Sequence, residues 1–168
     1  MPKGMKKLII GLILASLLFV PLAAAEVETA PQAGSAAPGL TLPTLDGKTV
    51  SLRDYQGRKK VVLMFFASWS KSCQDELQTL AELRADGQNS FEVLAVSFDN
   101  KTKDLRTFLS RSPLPFPVLH DKKLSYIDAF QILIIPTTFC IDRNGVIERI
   151  FVDYDDNVKK AVTEWLGS

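Results

Sequence analysis

The stretch VVLMFFASWSKSC, residues 61–73, contains a change of pattern that decides the fold. Residues 61–67 form an unbroken apolar run, which is typical of a strand buried on both faces of a sheet. After it, Cys73, Leu77 and Leu80 recur at helical spacing, with Glu76 on the flank of the same stripe. The segment therefore predicts a buried strand that passes through a tight turn into a helix whose inner side carries a cysteine and a carboxylate.

Strands and helices alternate on both sides of this junction. Residues 40–42 and 49–52 flank Asp46-Gly47, a hairpin signal because glycine accepts the positive φ of such a turn. Downstream we predict strands at residues 91–98, 137–141 and 146–152, and helices at residues 105–109, 124–130 and 158–166. This order predicts an α/β domain with a hairpin at its start.

The first 25 residues have the three parts of an export signal. Positive charge at Lys3, Lys6 and Lys7 precedes an apolar run at residues 8–20 and small residues at 23–25. We expect cleavage after Ala25, a linker at residues 26–38 and one domain at residues 39–168 in a periplasmic or other extracytoplasmic location. The alternative is an uncleaved segment that anchors the chain in a membrane.

Charge and composition limit the classes of partner. Three of the twenty Lys and Arg, and none of the nineteen Asp and Glu, lie in residues 1–25, so the remainder carries a net charge of −2. That balance gives no basic footprint for nucleic acid. Because no metal-ligand spacing or phosphate-binding loop is evident, we expect neither a cofactor nor a metal.

Residues 69–73, WSKSC, resemble the Trp-Cys-x-x-Cys motif of exported thioredoxin-fold oxidoreductases of the TlpA and ResA type, within the redoxin or AhpC/TSA-like superfamily. The likeness extends to the entry hairpin at 40–52, to IPTT at 135–138, which matches the cis-proline loop of that family, and to the turn at 141–145. It implies a thioredoxin-like fold with a central mixed β-sheet flanked by helices and an N-terminal β-hairpin.

The chain departs from this motif at its first cysteine. Ser70 occupies the position of the nucleophilic cysteine of the family, and Cys73 that of the second, resolving one. A serine hydroxyl without an adjacent base cannot replace a thiolate, and disulfide exchange within one site needs two thiols. Cys140 lies four strand residues beyond Pro136, so it is on the order of 13 Å from the loop that we expect to face Cys73. This distance is too great for a disulfide between Cys140 and Cys73. We predict a core position for Cys140.

The sequence leaves two interpretations of the chemistry of Cys73. A helix N-terminus favours a thiolate, whereas a resolving-position cysteine can be a buried residue that only packs. For Glu76, the resemblance implies tuning of thiol protonation, and burial would raise its pKa. The other alternative is a helix carboxylate that reaches solvent or stabilises the first turn. Trp69 either shields a thiol or covers the end of the helix.

The loop around Pro136 suggests binding that needs no cysteine. The resemblance implies that Ile135, Pro136 and Thr137 present their backbone to an extended partner segment. Ile134 and Gln78 stand where the family commonly has glycine and proline, and both changes would alter this groove. The single histidine, His120, is interpreted as a surface or structural residue.

Two classes of function remain open. In the first, Cys73 forms a mixed disulfide with a protein thiol or disulfide substrate, and an external reductant releases it. A peroxidase-like variant ranks below simple exchange, because Pro136 and Thr137 stand where the peroxiredoxin pattern has an anion-holding arginine. In the second, the protein is a non-catalytic module that binds an extended segment beside Pro136.

Overall fold

The computed structural model describes residues 30–85 and 90–168. The expected export signal and residues 26–29 of the expected linker lie outside the described residues. The elements, in chain order, are β1 (Thr41–Pro43), β2 (Thr49–Ser51), a 3-10 helix (Leu52–Tyr55), β3 (Lys60–Phe66), α1 (Lys71–Ala85), β4 (Phe91–Ser97), α2 (Thr102–Arg111), β5 (Val118–His120), α3 (Ile127–Phe130), β6 (Thr137–Ile141), β7 (Ile147–Val152) and α4 (Asp156–Leu166).

The central sheet has five strands in the order β5-β4-β3-β6-β7. Strand β3 pairs in parallel with β4 and antiparallel with β6, so the sheet is mixed. Strands β1 and β2 form a separate antiparallel hairpin. The predicted thioredoxin-like architecture, with its N-terminal hairpin, is confirmed.

The alternating side chains of β3 form the centre of two cores. Val62, Met64 and Phe66 pack with α1, α2 and α4 on one face. The intervening side chains pack with the hairpin and α3 on the other. Because both faces of β3 are buried, its sequence does not alternate between apolar and polar residues. The packing of both faces also fixes the position at which β3 ends and the chain turns into α1.

Residues 34–37, within the expected linker, make backbone contacts with residues 145–147. The Gly34 N–H donates to the Ile147 carbonyl at 2.7 Å, and the Ala37 N–H donates to the Gly145 carbonyl at 2.9 Å. These residues therefore pair through their backbone although their small side chains show no periodicity. Among the described residues, no helix combines the length and apolar character needed to cross a bilayer.

Candidate functional site

The turn between β3 and α1 is organised by Ser70. Its N–H donates to the Ala67 carbonyl at 3.1 Å, and its own carbonyl accepts from Gln74 N at 3.0 Å. Its hydroxyl oxygen accepts from the Cys73 N–H at 3.4 Å. This is the N-cap arrangement, in which a serine side chain satisfies one of the free N–H groups of the first turn. Ser70 thus has a structural role that a hydroxyl performs well.

Cys73 lies in the first turn of α1, with 0% of its surface exposed. Burial raises the pKa of its thiol, the Ser70 hydroxyl acts in the opposite direction, and the negative charges of Glu76 and Asp153 raise it further. The thiolate that a helix N-terminus would favour is therefore opposed by burial. Of the two alternatives for Cys73, the structure supports the buried, protonated thiol.

Glu76 is only 1% exposed, so the alternative in which it reaches solvent is wrong. The Thr138 hydroxyl donates to its Oε1 at 2.6 Å, while its Oε2 is buried without a hydrogen-bond partner. Burial raises the pKa of Glu76 to about 7; the Thr138 hydrogen bond lowers it, and the charge of Asp153 raises it. A carboxyl that gains and loses its proton near neutrality therefore lies one helical turn from Cys73.

Cys140 lies in the core, as predicted. It pairs with Val62 of β3 and Arg149 of β7, and burial raises the pKa of its thiol to about 12. Both Cys73 and Cys140 are free thiols. A protonated, solvent-free sulfur on a central strand behaves as a small apolar side chain.

The loop before β6 contains a cis peptide bond between Ile135 and Pro136. Pro136 and Thr137 are buried, and the Thr137 hydroxyl donates to the Ile134 carbonyl at 2.6 Å. Ile135 is half-buried, and neither its N–H nor its C=O hydrogen-bonds to another described residue. This loop therefore presents an unpaired peptide unit. We call the space between it and the turn at Trp69 and Ser70 the cis-proline groove.

Large apolar side chains are exposed at the turn before α1 and in the loop before β6. Trp69 is 75% exposed. On the α3 face of the sheet, a cavity of about 250 Å³ is lined in part by Leu133, Ile134 and Val152, which we call the apolar rim. Leu133 is 93% exposed. Exposed apolar surface of this kind can bury apolar side chains of a partner.

Asp153 is a site residue that sequence reasoning missed. Its N–H donates to the Pro136 carbonyl at 2.8 Å, and its Oδ1 accepts from the Ser72 hydroxyl at 2.9 Å. It follows β7 directly, about eighty residues after α1 begins. The sequence offers no local signal for these contacts beyond its place at the end of a predicted strand.

A second site residue that sequence reasoning missed is Asp99, which binds Ser68 just after the end of β3. Its buried carboxylate accepts from the Ser68 hydroxyl at 2.8 Å and from the Ser97 hydroxyl at 2.6 Å. His120 contacts the Asp99 carbonyl at 2.7 Å rather than either serine. The serine, histidine and aspartate that meet here therefore form no proton relay, and the buried His120 is structural. The described residues contain no cluster of His, Cys, Asp and Glu that could hold a metal ion.

Comparison with known proteins agrees with this geometry. The model of the AhpC/TSA family matches residues 33–150. The chain belongs to the AhpC/TSA family. The chain is 38% identical over 128 residues to the thioredoxin-like protein YneN of Bacillus subtilis, covering 74% of each chain. It is 35% identical over 148 residues to the thiol-disulfide oxidoreductase ResA of Geobacillus thermodenitrificans, covering 87% of this chain and 84% of that one.

A solved structure of this type gives the same fold. It is a Chlorobium tepidum protein provisionally assigned as the thiol:disulfide interchange protein DsbE, with a TM-score of 0.76 and 32% identity over 82% of this chain and 96% of that chain. This member of the AhpC/TSA family therefore has the fold of thiol-disulfide oxidoreductases. At the motif position of that fold it presents an N-capping serine and a buried cysteine.

Proposed function

We propose that the protein is an extracytoplasmic thioredoxin-fold module that binds an extended segment of a partner protein in the cis-proline groove. The single observation that carries this proposal is the contrast between the two sides of the site. The Cys73 thiol is buried and protonated, whereas the peptide unit of Ile135 is unpaired. The groove offers unpaired backbone groups to a partner, whereas its buried, protonated thiol is unsuited to nucleophilic attack.

Pairing with the Ile135 peptide unit would use the main chain of the partner, as in other cases of strand addition. The exposed Trp69, and the apolar rim on the α3 face of the sheet, then provide apolar surface for side chains of the bound segment. Such binding requires no sulfur, so the presence of Ser70 does not weaken it.

The test uses ¹⁵N-labelled protein and a capped pentapeptide of valine and alanine, with its N-methylated form as a matched control. We expect the peptide to shift the Ile135 amide resonance and the N-methylated peptide to shift it much less, since it lacks the N–H groups that pair. The Cys73→Ala variant should bind the peptide as the wild type does. No shift at Ile135, or equal shifts with both peptides, would contradict the proposal.

A second candidate function is slow mixed-disulfide exchange through Cys73, which the similarity to ResA over 87% of the chain favours. In that reaction the Cys73 thiolate attacks a partner disulfide, forms a mixed disulfide and releases one partner thiolate. An external dithiol reductant then attacks the mixed disulfide. This attack frees the Cys73 thiol, and the reductant is oxidised to a disulfide.

Thiol titration with Ellman's reagent separates the two functions. If binding alone is the function, Cys73 reacts only after unfolding, because its sulfur is buried. Rapid reaction in the native state, together with partner disulfides formed by the wild type and not by Cys73→Ala, would establish exchange instead.

A further inference from the structure

Asp153 adopts an unusual backbone conformation for a residue with a side chain. Its φ is 68°, in the left-handed region, which costs most L-residues roughly 1–2 kcal/mol and which glycine enters without strain. Aspartate tolerates this region better than most residues do, but glycine would still fit best. Its side chain makes one local contact, since Oδ1 accepts from the Tyr154 N–H at 2.8 Å, and one long-range contact, with Ser72.

Those contacts join two separate segments of the site. The main-chain N–H of Asp153 holds the carbonyl of Pro136, on the loop side of the cis-proline groove. Its carboxylate holds the hydroxyl of Ser72, in the first turn of α1 on the opposite side. One residue thus contacts both walls, which the pairing of β3 with β6 already joins.

The carboxylate of Asp153 also contributes an uncompensated charge. Asp153 is exposed, and no described Lys or Arg forms an ion pair with it. The nearby Lys71 pairs with Asp75 instead. The negative charge of Asp153 acts on the site, since it raises the pKa values of both Cys73 and Glu76.

We propose that Asp153 strengthens the connection between the two walls of the cis-proline groove by contacting both, and that its carboxylate gives the groove a preference for partner segments that carry a basic side chain. This inference rests on the proposed binding function. It makes Asp153 a positioning and specificity-determining residue.

The experiment compares peptides and matched variants. Capped pentapeptides of valine and alanine, with one lysine or one glutamate placed in turn at each position, are titrated into ¹⁵N-labelled protein. Asp153→Asn keeps an oxygen that can accept from Ser72 and a residue type that tolerates positive φ, but it removes the charge. Ser72→Ala keeps the charge and removes the hydrogen bond. Asp153→Gly removes both without backbone strain.

In the wild type we expect the best lysine peptide to bind about twofold to fivefold more tightly than its glutamate counterpart, the range of an exposed ion pair. Asp153→Asn should abolish this preference, and Ser72→Ala should preserve it while weakening both peptides by roughly twofold to tenfold. Asp153→Gly should lose the preference for lysine and should also bind both peptides more weakly.

The outcomes distinguish the two levels of the proposal. Binding of both peptides without a preference, or a preference that survives in Asp153→Asn, would overturn the role of Asp153 and leave the groove function standing. If no peptide binds the wild type, the groove function is wrong and the preference is wrong with it. As a readout without a partner, Asp153→Asn should lower the pKa of Glu76 in carboxyl NMR, and Ser72→Ala should not; equal values in Asp153→Asn and wild type would contradict the charge effect.

Discussion

Glu76 should make the stability of this protein depend on pH near neutrality. Burial raises its pKa from the ordinary value of 4.5 to about 7. The folded state therefore binds this proton more tightly than the unfolded state does. The resulting stabilisation is complete below about pH 4.5 and is lost as pH rises through about 7. At about 1.4 kcal/mol per pKa unit, the loss is about 3 kcal/mol of the free energy of unfolding.

Glu76→Gln removes the titration and keeps most of the packing. The amide oxygen can still accept from the Thr138 hydroxyl, as Glu76 Oε1 does. The amide nitrogen takes the place of Oε2, which has no partner. At low pH the protonated carboxyl of the wild type has an O–H without a partner at the same place, so the two proteins should differ little in stability there. Only the wild type loses stability as its carboxyl ionises, so the variant should become the more stable of the two above pH 7.

Urea denaturation at intervals from about pH 4.5 to about pH 8 measures this difference. Other titrating groups are common to both proteins and cancel when the wild-type and variant free energies of unfolding are subtracted. Glu82→Gln, an exposed position on the same helix, serves as the control and should give a difference that does not vary with pH. A Glu76→Gln difference equally independent of pH would refute the assigned burial of the charge.

Three further predictions concern the neighbours of Glu76. Ser70→Ala should cost about 1 kcal/mol in urea denaturation, because the Cys73 N–H loses its cap, whereas Ser70→Gly should cost only a few tenths; equal costs would argue against capping. Thr138→Val should raise the pKa of Glu76 further, since the hydrogen bond that lowers it is lost; carboxyl NMR that gives an unchanged pKa would contradict the contact. Cys140 should resist alkylation in the native protein, because burial raises its pKa to about 12, and mass spectrometry that finds it modified as fast as in urea would disprove its core position.

The fold could be predicted because its signals are local. The apolar run at residues 61–67 corresponds to β3, Lys60–Phe66, and the helical spacing from Cys73 corresponds to α1, Lys71–Ala85. Each signal depends on side chains a few residues apart, whose period differs between strand and helix. The junction of strand and helix could therefore be located within one or two residues.

The site was only partly predictable because its contacts are long-range. One oxygen of Glu76 accepts a hydrogen bond from Thr138, which lies 62 residues away in sequence. Periodicity placed Glu76 beside the buried stripe but gave no partner for its carboxylate, which left solvent exposure open. Asp153 and Asp99 bind segments that only the completed sheet brings together, and no spacing rule connects them. Residues 34–37 pair through their backbone, which side-chain patterns do not report.

Serine at position 70 separates two properties that a cysteine there would combine. The start of α1 needs a side-chain acceptor at the N-cap, and Ser70 supplies it to Cys73. Thiol exchange needs a thiolate, which an alcohol does not provide. The Ile135 peptide unit and the Asp153 contact with Pro136 are made by backbone atoms, so neither depends on the identity of residue 70. The proposed binding of extended segments in this groove is therefore compatible with an alcohol at position 70.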